Sequence, residues 1–167
     1  DFADKITDEA GSIPTPDPED PCAGGHQTEN ILTKATLKTD GKIEERCKIC
    51  KKVIGTKTIA KIADVKLSGN SYVYDGKTKT PSVTVKNSKG KTLAKTDYSI
   101  AYAKGRKNVG SYTVTITLKN NYSGTVKKTF TIVPKATSIS KLTAGKKKLT
   151  VKWKKQATQT TGYQLQY

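Results

Sequence analysis

The stretch SYTVTITLK, Ser111–Lys119, restricts the fold more than any other part of the chain. On an extended backbone Tyr112, Val114, Ile116 and Leu118 share one face, and Thr113, Thr115, Thr117 and Lys119 share the other. Such a period of two, written in β-branched and aromatic residues, specifies a strand with one face buried. A helix would scatter the same apolar residues around its axis. The alternation recurs in YSIAYA through Tyr98, Ile100 and Tyr102, in PSVTVK through Val83 and Val85, and in TFTIV through Phe130 and Ile132. Turn signals separate these runs: YDGK at 74–77, NSKGK at 87–91, KGRKNVG at 104–110 and NNYSG at 120–124. Short strands at regular spacing indicate a sandwich or barrel. Residues 63–134 are therefore expected to form a β-sandwich, and no segment reads as a helix, so the whole chain is expected to be all-β.

Three other segments surround this one. Residues 1–21 end in SIPTPDPEDP, where prolines alternate with polar and acidic residues, so an extended acidic, Pro-rich linker is expected. Residues 22–62 contain all three cysteines and the only histidine, with strand-like runs at Ile31–Leu37 and Ile43–Cys47 on either side of TDGK at 39–42. An Asp-Gly step between such runs signals a hairpin. Residues 135–167 follow Val133-Pro134-Lys135 and carry KKLTVKW, with Leu149, Val151 and Trp153 on one face. GYQLQY places Tyr163, Leu165 and Tyr167 likewise. These two runs suffice only to begin another sandwich.

Charge is distributed unevenly. Residues 1–21 carry seven acids against Lys5, a net of −6, so of the overall +17 the remainder of the chain carries +23. Nearly all of that positive charge is lysine, with only Arg46 and Arg106 as guanidinium groups. Lysine gives solubility and loose attraction to polyanions but lacks the planar fork that reads phosphates and base edges. With no recognition helix, and no aromatic residue in 22–62, a nucleic-acid partner is not expected. No apolar run is long enough to span a membrane. A chain that begins at Asp1 and lacks methionine is expected to be a processed or excised piece.

The chemistry-bearing residues converge on one motif. Cys22-x3-His26 is followed twenty residues later by Cys47-x2-Cys50. Thiolates and an imidazole at this spacing let two loops close a tetrahedron on Zn²⁺. Four protein ligands leave no open position, so such a metal would be structural. A segment of this size, poor in apolar residues, needs the stability that a metal supplies. Two alternatives stand beside zinc: a Cys47–Cys50 disulfide, which would leave Cys22 unpaired, and a redox pair, which ordinarily opens a helix next to a βαβ unit. Elsewhere no catalytic set is found. The acids of the sandwich are Asp64, Asp75 and Asp97, of which Asp75 sits in a turn signal and Asp97 just before a strand, and one histidine cannot serve two sites. The tyrosines at 98, 102, 112 and 122 read either as core packing or as a sugar-stacking row.

The run YVYDGKTKTPSVTVKNSKGKTLAKTDYSIAYAKGRKNVGSYTVTITLKNNYSGTVKKTFTIVPK, 72–135, resembles the bacterial immunoglobulin-like repeats of large secreted and surface proteins of Gram-positive, clostridial-type bacteria. The words that carry the likeness are YDGK, PSVTV, KGKTL, TDY, KNVG and NYSGTVKKTFTI. TSISKLTAGKKKLTVKWKKQATQTTGYQLQY, 137–167, resembles the first three strands of a fibronectin type III domain, with Trp153 in place of its strand-B tryptophan. The segment with Cys22, His26, KATLKTDGKIEERCKICKK and TIAKI is similar to a small cysteine/histidine module found before such repeats. That module usually has a shorter Cys-to-His spacing and a glycine where this chain has Lys51. The resemblance implies a non-catalytic spacer or adhesive region at the cell surface or outside the cell, and a monomer is expected. Cell-wall polymers, glycans or host surface proteins are its implied partners. An anaerobic habitat would favour metal over disulfide at the four ligands.

Overall fold

In the computed structural model, Cys22 and residues 25–165 are described, and the expected linker 1–21 lies outside them. The described chain is all-β, as its alternation requires: eleven strands and one short 3-10 turn at Lys95–Asp97. They are β1 Thr28–Thr33, β2 Gly41–Cys47, β3 Val53–Ile59, β4 Ile62–Leu67, β5 Ser71–Val73, β6 Val83–Asn87, β7 Tyr98–Tyr102, β8 Gly110–Leu118, β9 Thr125–Val133, β10 Ile139–Gly145 and β11 Lys148–Trp153. The chain divides into two compact units. One runs to Ile31 and resumes over Ile43–Lys57; the other comprises Leu32–Lys42 and everything from Thr58 onward.

In the larger unit, β4 pairs with β6, and a second sheet has the order β5-β9-β8-β7. Side chains from both sheets meet in one core: Ile62 and Val65 of β4, Val83 and Val85 of β6, Tyr98 of β7, Val114, Ile116 and Leu118 of β8, and Phe130 and Ile132 of β9. On β6, β8 and β9 these residues occupy one phase of the alternation, and on β4 a register shift between Ile62 and Asp64 brings both Ile62 and Val65 inward, so the sandwich follows largely from the two-residue period. Phe130 sits at the centre, 1% exposed, with the Tyr72 ring edge-on at 5.7 Å and the Tyr112 ring at the same distance. Full burial of such a ring contributes about 1.5–3 kcal/mol.

Turns were placed correctly by their residues, and for chemical reasons. The Asn87 side chain accepts the backbone N–H groups of Lys89 and Lys91, while Gly90 takes φ +78°, which a side chain would strain. In YDGK, Asp75 accepts the Lys77 N–H and pairs with Lys79 at 2.6 Å. The hydrogen bond from Lys79, then that from Lys77, hold its carboxyl below the usual value.

The TDGK segment lies, as expected, between two strands that pair in one sheet, but the connection is longer than the sequence runs imply. β1 ends at Thr33 rather than Leu37, and residues 34–40 form a longer connection. That loop is held by the sandwich unit to which it belongs. Ala35 is fully buried, donates its N–H to the Asn121 carbonyl, and accepts from Ser123. The Asp40 carboxylate accepts the Lys61 N–H at 2.7 Å instead of closing a two-residue turn. Gly41 is required by proximity, since a β-carbon there would run into the backbone of Thr33 and Ala35. Strand β3 was not anticipated; VIGTKTI alternates weakly and remains largely exposed.

β10 and β11 form an antiparallel pair in which Ile139 faces Trp153, Leu142 faces Val151 and Ala144 faces Leu149. The expected strand at GYQLQY is absent over 161–165, and residues 166 and 167 lie outside the described chain. Tyr163 instead packs against Trp153 at 5.5 Å between ring centres. No helix of the described residues is long and apolar enough to cross a membrane.

Replacing Phe130 with alanine is expected to cost the sandwich about 3–5 kcal/mol. Thr117→Val, on the outer face of β8, is expected to change stability by no more than about 0.5 kcal/mol. Urea denaturation midpoints of the two variants test the assignment of faces.

Candidate metal centre

The four sequence-predicted ligands come together. Each of Cys22, His26, Cys47 and Cys50 offers one ligand atom, and these atoms all lie within 4.8 Å of one another. Two turns deliver them. The first runs from Cys22 to His26, where the Gly25 N–H bonds the Cys22 carbonyl at 2.9 Å and Gly25 takes φ +106°. The second follows β2, which ends on Cys47. There the Lys51 N–H returns to the Cys47 carbonyl at 3.1 Å, and the Cys47 N–H reaches the Lys52 carbonyl at 2.9 Å. A bond from the Lys48 N–H to the Gln27 carbonyl, 2.8 Å, ties the two turns together. All four ligands belong to the smaller compact unit.

The contacts have the dimensions of a coordination shell. Cys22 Sγ and Cys47 Sγ are 3.4 Å apart, and Cys50 Sγ lies 3.6 Å from His26 Nδ1. A tetrahedral zinc with Zn–S bonds of about 2.3 Å sets ligand atoms about 3.5–3.8 Å apart. A disulfide would require about 2.05 Å. Cys47 and Cys50 are both free thiols.

The electrostatics suit a thiolate at Cys47. Its side chain is fully buried, which pushes the thiol up. The Cys50 N–H, the His26 ring, the Ile49 N–H at 3.4 Å and the Cys22 thiol outweigh burial, and together they lower it to about 6. Cys22 is driven the other way, up to about 12, first by its hydrogen bond with Cys50 and then by burial. One thiol of the cluster thus ionises early and its neighbour keeps a proton. A divalent cation would relieve that conflict, because it favours the deprotonated form of every sulfur at once. The donor set, its spacing and the amide groups aimed at Cys47 all fit Zn²⁺, and such an ion would supply cross-linking rather than reactivity.

Spacing alone did not reveal the supporting groups. The Ile49 amide and the Gln27 carbonyl carry no side-chain signature. Lys51 does: it adopts φ +61°, at the position where the resembling module usually has glycine. Its exposed ion pair with Glu29, at 3.5 Å, contributes little. The other sequence candidates resolve into structure. Tyr98 is buried and donates to the Val83 carbonyl; Tyr102 donates to the Pro81 carbonyl at 2.7 Å, and Tyr112 to the Asn108 carbonyl at 2.9 Å. Tyr122 packs against the core. A row so engaged is not an open stacking platform.

The MBG domain family model matches residues 61–120. MBG domains are non-enzymatic β-rich modules that occur in extracellular proteins. The match begins one residue before β4 and covers the sandwich through β8, while β9, which completes the sheet, lies beyond it. No curated protein and no solved structure matches the chain.

Elemental analysis is expected to find one zinc per chain, with Cys47→Ser reducing it to a small fraction, and thiol titration should find the cysteines shielded until a chelator is added. Left-handed backbone costs a non-glycine residue roughly 1–2 kcal/mol. Lys51→Gly, offset by glycine's greater freedom when unfolded, is expected to raise the stability of the zinc-loaded unit by up to about 1 kcal/mol, readable as a higher thermal midpoint.

Proposed function

We propose that this chain is a non-catalytic structural spacer of a multidomain extracellular or cell-surface protein, its first folded unit fastened by zinc. One observation supports this above the others. The described carboxylates of the MBG-matching sandwich are each occupied locally, at separate places. Asp64 pairs with Lys66 at 3.1 Å, Asp75 with Lys79 at 2.6 Å, and Asp97 accepts the Asn120 amide at 3.0 Å. General acid–base catalysis needs a titratable group positioned toward a reacting centre. The hydroxyls of Tyr98, Tyr102 and Tyr112 are similarly committed to backbone carbonyls.

The zinc-bound unit and the sandwich would then serve for length and stiffness, and the clostridial-type surface setting and the fibronectin-like identity of residues 135–167 follow from the resemblance. A second reading, adhesion to an anionic cell-wall polymer, draws on the +23 charge of residues 22–167. Lysine charge alone gives attraction that salt screens. Sedimentation with purified cell walls and with a teichoic-acid-type polymer separates the two. Binding at about 0.02 M salt that disappears by about 0.3 M is the expected result for a spacer. Saturable binding that persists at the higher salt would establish the adhesive role instead.

A further inference from the structure

The larger unit has an opening along one side of the sandwich. β5 pairs with β9 in parallel, but only over Ser71–Val73 against Thr131–Val133. Along the rest of β9, the edge turned away from β8 has no strand beside it among the described residues. Ladder geometry identifies the groups that this leaves outward. In an antiparallel pair, alternate residues direct both N–H and C=O toward the partner or away from it. The Thr131 N–H bonds the Asn70 carbonyl at 2.9 Å, and the Gly124 carbonyl accepts from Leu118 at 2.9 Å. Thr131 therefore points outward and Gly124 toward β8, so Lys127 and Thr129, in phase with Thr131, also turn outward.

β4 presents a matching edge. The Ser68 N–H bonds the Ser82 carbonyl at 2.9 Å, continuing the β4–β6 register. Lys66 is in phase with that bond, so Val65 and Leu67 point away from β6. Between these edges lies a groove of about 590 Å³ lined by Asp64–Leu67, Asn70, Lys128, Thr129 and Thr131. Two strand edges with unengaged backbone groups thus face one slot of peptide-binding size.

The charge around the slot selects the occupant. Lys127 and Lys128 are exposed on β9, while Asp64, the one acid in the lining, is paired with Lys66 at 3.1 Å. We propose that the slot between β4 and β9 accepts an extended, acidic polypeptide segment of another molecule as an added strand. Main-chain hydrogen bonds to Lys127 and Thr129 would hold it, and the lysines would favour carboxylates at its flanks. This interaction is independent of the spacer reading, because it needs only the sandwich.

Amide hydrogen exchange on the full chain, with the capped hexapeptide Glu-Val-Thr-Val-Thr-Glu as probe, tests this. Exchange at Lys127 and Thr129 is expected to slow at least about tenfold at saturation, with the Lys-flanked analogue binding more weakly. Thr129→Pro removes an outward N–H, which an edge strand tolerates, and is expected to abolish protection while leaving the unfolding midpoint in place. Should that variant fail to fold, Lys128→Glu is expected to weaken the acidic peptide about fivefold or more at low salt. The proposal is overturned if millimolar peptide leaves those amides unprotected, if acidic and basic peptides bind equally, if the folded proline variant still binds, or if binding occurs without amide protection, which would mark charge attraction alone.

Discussion

The pairing of β8 with β9 is the constraint on which the larger unit depends. It is the longest ladder among the described residues, from Gly110 opposite Ile132 to Thr117 opposite Thr125. It places Val114, Ile116, Phe130 and Ile132 on one surface, and β4 and β6 cover that surface with valines and isoleucine. A slip of one residue would turn those side chains into water and the threonines into the core. The register is therefore set by burial, and the turns need only be compatible with it.

The smaller unit rests on a different principle. Its strands bury little: β1 and β3 are mostly exposed, and Ile31, Val53 and Ile54 are each more than 40%, or at 40%, accessible. Its turns bring three sulfurs and an imidazole within 4.8 Å of one another. A metal held there would take the part that a hydrophobic core takes elsewhere. The two units thus illustrate two sources of order, one distributed over many weak contacts and one concentrated at a point.

Legibility follows the same division. Strands β6 to β9 could be read because each has a buried face that imposes alternation. The clustering of Cys22, His26, Cys47 and Cys50 could be read because cysteine and histidine are rare in this chain, and their spacing has few uses. β3 escaped notice because an exposed strand has no face to mark it. TDGK marked the connection between the paired strands β1 and β2 but not its length, because the turn preference of Asp-Gly is local, whereas the Asp40–Lys61 and Ala35–Asn121 bonds that shape the loop join distant residues. The strand expected at GYQLQY had alternation, but over its described residues Tyr163 packs on Trp153 instead. The slot beside β9 was invisible for a related reason: it consists of main-chain groups, which are the same in every residue.

The short parallel pairing of β5 with β9 has a mechanical meaning. The chain enters the second sheet through β5 and leaves it through β9, and the two run in the same direction. Tension that reaches β5 and β9 would pull these strands past one another lengthwise, so their cross-links share the load together and are not peeled apart singly. A bead strung between other domains would in this way resist stretching where it is gripped.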